Sequence, residues 1–359
     1  MAAIFKPLAN NDVTNTRTLL HEAIPITGTL VSGTYGGNTV ALGSEPNIKT
    51  YAHGMFESVY DYPYLSSSAN HVFDLTAGFS NDSGLSASSN TQNSKKINIY
   101  NQMASVLMGH DISGNIQQFD EDGDILAGGT KLKGCVFVNF ARLLTKDEIK
   151  KGTFSMTLGA TSSFATPMSE LITIADTNAA TQFKVNSPTG EYGILYGTGS
   201  VMPTNTPVGL LFYQAGVAVL SGSIWENYGN VNGASGTMEM NTDGNSLAQF
   251  FTGSTIQQIS DATVRHRLNN LSFNNTTELN STVYFCRANN SEFNYSANPT
   301  YLSSSKMRVK NTVTDDPVSY ITTVGLYSPD NELLAVAKLS EPLKKTPQNE
   351  LTVRVRLDY

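Results

Sequence analysis

The sequence predicts a mainly β protein, made of antiparallel β-sandwich or jelly-roll-like domains with a few short helices. Three observations predict it. Charged residues are only 15% of the 359-residue chain, well under the ~25% of an average domain. The mean hydropathy is nevertheless slightly negative at -0.19, so the polarity comes from Asn, Ser, Thr and Gln. The apolar residues fall in short alternating or continuous runs, and Gly-, Asn- and Thr-rich connections separate those runs. Few charges also lower the desolvation cost of burying surface against a partner.

Several function classes are set aside by the same numbers. The net charge is -7 and the densest basic stretch, KDEIKKG (146–152), is half acidic. A nucleic-acid footprint needs clustered Lys and Arg, so no nucleic-acid partner is expected. The N-terminal stretch MAAIFKPLANNDVTNTR lacks the apolar run of a signal peptide. No stretch approaches the ~20 apolar residues of a membrane span, so no membrane partner is expected. The longest, VGLLFYQAGVAVL (208–220), is broken by Gln214 and Gly216 and reads as a buried β-hairpin. Cys135 and Cys286 both sit in strand-like runs and read as buried free thiols.

Taken in order, residues 17–46 carry a Gly- and Thr-punctuated series that suits short strands. An aromatic region follows, with Tyr51, Phe56, Tyr60, Tyr62, Tyr64 and Phe73. Residues 80–95 form a polar loop. Ile97, Ile99 and Tyr100 then precede a short helix around Gln102 to Met108. KLKGCVFVNF (131–140) alternates with Cys135, Phe137 and Asn139 one way and Val136, Val138 and Phe140 the other. Both sets are largely apolar, so a central strand covered on both faces is expected. In TKDEIKKG, Thr145 as N-cap, Glu148 three residues on and Gly152 as stop read as a capping box on a short helix. TFSMTLGA and YGILYG read as strands. Ile256, Ile259, Val264 and Leu268 follow helical spacing, with Ser254 or Thr255 as cap. These elements suggest three regions: a β-rich 1–160 with one short helix, a Gly/Asn/Thr-rich β region 161–245, and 246–359, a helical segment before a C-terminal three-stranded antiparallel unit that completes a sandwich.

That closing unit has the clearest patterning. Tyr320, Thr322, Val324 and Leu326 share one face of a first strand, and Leu333, Ala335, Ala337 and Leu339 one face of a second. SPDNE (328–332) supplies the turn through Pro329 and Asp330. LTVRVRLDY (351–359) alternates without a slip, which places Arg354 and Arg356 outward as interface candidates and Pro342 and Pro347 in the linker before it.

Candidate chemistry is sparse. Asp120, Asp122 and Asp124 in FDEDGDILAGG are the candidate metal ligands, but an EF-hand loop starting at Asp120 needs Gly at 125 and Glu at 131, where this chain has Ile125 and Lys131. Asp122-Gly123 is a hairpin-turn signal, and an acidic turn is the simpler reading. His21, His53, His71, His110 and His266 show no i, i+4 zinc pair, and neither cysteine has a CxxC neighbour. No GxSxG elbow or phosphate loop is present. No catalytic set and no cofactor are expected. The run YDYPYL offers Tyr60, Tyr62 and Tyr64 as interface candidates, or as a platform for sugar rings.

Two phrases carry a family likeness: RANNSEFNYSANPTY (287–301) and SYITTVGLYSPDNELLAVAKLSEPLKK (319–345). They resemble segments of virion structural proteins of contractile-tailed bacteriophages, including those that infect cyanobacteria. TLLHEAIPITGTLVSGTY and AHGMFESVYDYPYLSSSANHVFDLTAG resemble N-terminal parts of the same proteins, whereas about 160–245 resembles nothing in them. The resemblance implies a non-enzymatic virion component made in the host bacterial cytoplasm, in the tail or baseplate. Its partners would be other virion structural proteins and copies of itself, in a homo-oligomeric assembly. A neck, collar or fibre-attachment protein is the alternative, and a host-receptor or carbohydrate-binding module the alternative of another class.

Overall fold

The computed structural model describes residues 5–26, 46–86, 89–124, 129–160, 167–199, 202–227, 251–295, 302–303, 306–307, 312, 314 and 316–359. The chain divides into two compact units, Leu20–Thr277 and Met1–Leu19 with Glu278–Tyr359. The boundaries expected at 160/161 and 245/246 both fall inside the larger unit, because antiparallel pairing ties the strands on either side of them together.

Strands of the larger unit are β2 (Ile48–Thr50), β3 (Glu57–Tyr60), β4 (His71–Phe79), β5 (Gly134–Phe140), β6 (Glu148–Ile149), β7 (Ser155–Gly159), β8 (Leu171–Ala175), β9 (Lys184–Ser187), β10 (Gly190–Gly199), β11 (Thr206–Phe212) and β12 (Val217–Ser221). Two longer strands, β1 (Val13–Pro25) and β13 (Leu268–Ala288), contribute residues to both units. The hydrogen-bonded order in the larger unit is β13-β7-β8-β10-β11-β12-β5-β4-β3-β2, antiparallel at each pairing whose register is defined. The mainly antiparallel β architecture is therefore as the sequence predicts.

The faces of β5 show how the core is built. Val136, Val138 and Phe140 join a core with Phe73, Leu75, Ala218 and Leu220. Cys135 and Phe137 join a second core with Ile99, Tyr100, Ala104 and Leu107 of helix α1 (Asn93–Leu107). One alternating strand thus feeds two cores, which is the two-sided burial its pattern implies. Gly78 on β4 admits α1 this closely, since a Cβ there would lie 2.5 Å from the Lys96 carbonyl oxygen. The Phe140 ring lies 5.2 Å from Phe273 of β13. β13 stands six places from β5 in the strand order, so the sheet curls back on itself around the first core, as the layers of a sandwich do.

Several local expectations are corrected. The helix begins at Asn93, not near Gln102, and takes in Ile97, Ile99 and Tyr100. The alternation of the two isoleucines imitates a strand, but burial at Lys96, Ile99, Tyr100, Ala104 and Leu107 follows the helical period. Thr145 is no N-cap. It is the last residue of a single turn, Arg142–Thr145, and Lys146 follows at φ 53°. The Ile149 amide then donates to the Tyr213 carbonyl at 3.0 Å and the Lys150 amide to Asn274 at 2.7 Å. Those tertiary bonds take the donors that a helix would use. The second capping signal does hold: Thr255 caps α2 (Ile256–Thr263) in a capping box with Gln258. α2 ends before Leu268, which opens β13. Within 17–46, one long strand, β1, stands where short strands are expected; 27–45 lie outside the described residues. Cys135 is buried and free, and burial pushes its thiol up, but Cys286 is free and only half-buried.

In the smaller unit, β14 (Leu302–Ser303) pairs with β15 (Lys306–Met307), and β16 (Ser319–Tyr327) with β17 (Leu333–Lys345). β18 (Leu351–Asp358) alternates between half-buried or buried and exposed residues as its sequence predicts. It pairs with β13 from Ser281 to Ala288 instead of joining the hairpin into a three-stranded sheet. Pro342 lies inside β17, not in the linker. The register there jumps from Ile321↔Leu343 to Thr323↔Lys338, and an interruption of the ladder is where proline can sit.

Candidate functional site

Two surfaces collect the candidate residues. The first lies on strands β2 to β5. The β3–β4 connection carries Tyr62 and Tyr64, and it is closed at its base by Asp61. The Asp61 carboxylate accepts the Asn70 backbone amide at 2.6 Å and the Asn70 side-chain amide at 2.8 Å. Buried Asn47 donates to the carbonyls of Tyr60 and Asp61, each at 3.2 Å, and the Tyr64 amide donates to Pro46 at 2.9 Å. A loop held this way presents its side chains with little ordering left to do on binding. Tyr62 is 45% exposed and Tyr64 37%. The Tyr60 ring is half-buried, 6.3 Å from Tyr64 and 5.6 Å from His71. Burial raises the Tyr60 hydroxyl pKa, and Tyr51 and Asp74 add to the rise.

Beside these rings, cross-strand pairing sets a polar row. Lys49 on β2 opposes Ser58 on β3, Ser58 opposes Asp74 on β4, and Asp74 opposes Asn139 on β5. Directly opposed residues share a sheet face, and the alternate residues Val59, Phe73 and Val138 point into the core. Ser58 Oγ donates to Asp74 Oδ1 at 2.5 Å, and His71 Nε2 donates to the same oxygen at 2.8 Å. With the serine proton committed to Asp74, the Tyr51 hydroxyl donates to Ser58 at 3.1 Å. Asp74 stands between serine and histidine, and the imidazole touches the carboxylate and not the hydroxyl. That geometry differs from a Ser-His-Asp relay, in which histidine takes the serine proton.

Sequence reasoning found Tyr60, Tyr62 and Tyr64 but missed Ser58, His71, Asp74 and Asn139. Their juxtaposition depends on register across a long connection, which no turn signature fixes. The one signal is the Asp61/Asn70 pair that closes the loop.

The second surface is the β16–β17 hairpin. Its base is fixed: Ser319 pairs with Lys345, and Lys345 Nζ donates to the carbonyl of Asn290 at 3.2 Å and to Asn294 Oδ1 at 2.8 Å. The turn is closed by the Asn331 amide on the Ser328 carbonyl at 3.0 Å. Between them large apolar groups face water, with Leu334 68% and Val336 52% exposed, and Tyr320, Tyr327 and Leu333 exposed as well. Tyr320 and Tyr327 both occupy exposed positions of β16, on either side of a register shift between Ile321 and Thr323 that breaks the single face expected for Tyr320, Thr322, Val324 and Leu326.

Arg354 and Arg356 are exposed on β18 as expected. Arg356 is tied within its own surface, to Asp358 at 2.6 Å and Ser281 Oγ at 3.0 Å. One carboxylate oxygen from each of Asp120, Asp122 and Asp124 lies within 4.8 Å of the other two. Buried Asp120 is ion-paired with Lys131 and accepts the Asp122 amide at 3.2 Å, and Asp122 accepts the Asp124 amide at 3.1 Å. Gly123 turns the chain at φ +70°. The carboxylates of Asp120 and Asp122 thus serve the turn's own amides, and Asp120 also serves Lys131.

The fold defines a mainly antiparallel β protein with an anchored aromatic loop and an exposed ribbon. No protein-family model matches the chain, and no curated protein or solved structure is significantly similar to it.

Proposed function

We propose that the chain is a non-enzymatic structural and assembly protein of a bacteriophage particle, a tail or baseplate subunit that acts through protein–protein interfaces. The β16–β17 hairpin carries this reading. A two-stranded ribbon with apolar groups on both faces is marginal by itself in water, and surface of this kind marks a contact with another protein. Here the ribbon is held at its base, Tyr327 beside its turn packs on Phe5 with the rings 4.8 Å apart, and Leu333, Leu334 and Val336 are left exposed, as suits an arm that docks on a neighbouring subunit. It is also the segment (319–345) whose sequence resembles virion proteins. Its partners are copies of itself and other virion structural proteins, and the neck or fibre-attachment position is the alternative within this class.

The test is to detect the protein in purified virions by mass spectrometry, then to follow assembly with Leu334→Asp and Val336→Asp together. The double variant is expected to fold normally but to shift from oligomer to monomer at least tenfold in concentration. A wild-type protein that stays monomeric and never appears in virions overturns the proposal.

A second reading, binding of a host-surface carbohydrate, is favoured by one observation: the anchored loop that holds Tyr62 and Tyr64 out to solvent. Loss of glycan binding in Tyr62→Ala supports it.

A further inference from the structure

The polar row beside the tyrosines lies on the sheet face away from the first core, with Lys49, Asp74 and Asn139 half-buried and Ser58 buried among them. We propose that the face formed by Lys49, Ser58, Asp74 and Asn139, flanked by Tyr60 and Tyr64, binds a neutral saccharide, with Asp74 as the acceptor for sugar hydroxyls. This rests on the carbohydrate reading of the tyrosine loop and assigns its polar half.

Three features carry the inference. Asp74 is pre-set, because Ser58 and His71 both donate to Oδ1, while its side chain keeps a quarter of its surface in water. The second carboxylate oxygen therefore remains an acceptor for incoming hydroxyl donors, and hydrogen bonds to an ionised acceptor are the stronger kind. The Tyr51–Ser58–Asp74 chain runs donor to acceptor throughout, so each bond polarises the next. Second, the row crosses four adjacent strands, roughly 14 Å at the ~4.8 Å strand spacing. Half-buried Asn139 at its end adds an amide that can both donate and accept. Third, the aromatic groups stand at the rim. Tyr64, 37% exposed, lies 6.3 Å from half-buried Tyr60, an aromatic surface that suits the C–H face of a pyranose, and Lys49 Nζ lies over the Tyr51 ring at 5.1 Å.

The charges narrow the ligand class. One carboxylate stands at the centre of the row and one ammonium at its end, so an anion such as a nucleic-acid phosphate meets repulsion where it would have to sit. A protein partner would be expected to find a large apolar side chain at the centre of its contact, and the centre here is the partly exposed carboxylate of Asp74 beside buried Ser58. A ring with several hydroxyl donors and an apolar face fits both parts.

The experiment uses the full chain and an array of neutral oligosaccharides of glucose, galactose, mannose, rhamnose and N-acetylglucosamine, followed by an isotherm on the best binder. Wild type is expected to bind. Asp74→Asn and Asn139→Ala are expected to lose at least tenfold and about threefold in affinity, with thermal unfolding of each variant measured in parallel. Lys338→Ala, on the hairpin, is expected to change nothing. If no neutral oligosaccharide is bound, the carbohydrate reading and this inference both fall. If Tyr62→Ala and Tyr64→Ala lose binding while folded Asp74→Asn and Asn139→Ala keep it, the reading stands and this inference is overturned. Should Asp74→Asn not fold, Asn139→Ala decides, since its side chain is only half-buried. Retained affinity in that variant overturns the inference.

Discussion

β5 and β17 are both antiparallel strands rich in apolar residues, and they meet opposite fates. Every side chain of Cys135–Val138 is fully buried, because β4 and β12 flank the strand and a core lies on each of its faces. Leu333, Leu334 and Val336 of β17 stay in water, on a strand whose one described strand partner is β16. The lesson is that apolar content marks surface to be covered, and the layers of the fold decide whether the chain itself covers it. In β5 the cover is internal. In β17 it is left, on the proposal made above, to another subunit.

The largest break of this comparison is deletion of residues 351–359. It removes β18, which pairs with eight consecutive residues of β13, and with it the partly or fully buried Leu351, Val353, Val355 and Leu357. The truncated chain is expected to be insoluble on expression. A soluble truncation with native circular dichroism would instead make β18 an assembly arm like the hairpin.

Next in size is Phe137→Ala, which empties a site packed 5.8 Å from the Phe119 ring and should cost about 3–5 kcal/mol. The matching change on the ribbon, Leu334→Ala, should fall within about 0.5 kcal/mol. Urea unfolding of both variants measures the contrast directly. Equal losses would mean that the ribbon is packed in solution.

A smaller effect is expected at Lys96, buried on α1. Its ammonium donates to the Phe251 carbonyl, to the Ser254 carbonyl at 2.9 Å and to Asn90 Oδ1 at 3.1 Å. Burial lowers its pKa from 10.5 to about 8. Between those values the unfolded chain binds more protons than the folded one, so this group makes stability rise with pH from about 8 to 10.5 and removes that gain as pH falls back through 8. Lys96→Met should flatten this slope in thermal unfolding followed from pH 7.5 to 10.5. An unchanged slope would mean that the three carbonyl acceptors hold the ammonium charged throughout. Least of all, Arg354→Ala on exposed β18 should leave the unfolding midpoint unchanged within error.

The sequence by itself determined the fold class, the two-faced pattern of β5, a cap for α2 at Ser254 or Thr255 and the alternation of β18. Each is a local periodicity or a side chain acting on its own backbone, so a window of a few residues contains the cause. Tertiary structure decided the rest. The amides after Thr145 were taken by Tyr213, Asn274 and Thr276, far along the chain. β18 chose β13 over the hairpin that precedes it. Ser58, His71 and Asp74 met only because β3 and β4 settled in one register across a ten-residue connection. Antiparallel pairing is indifferent to sequence distance, and the choice among partners lies in which surfaces are buried together, a sum over the whole chain that no single stretch records.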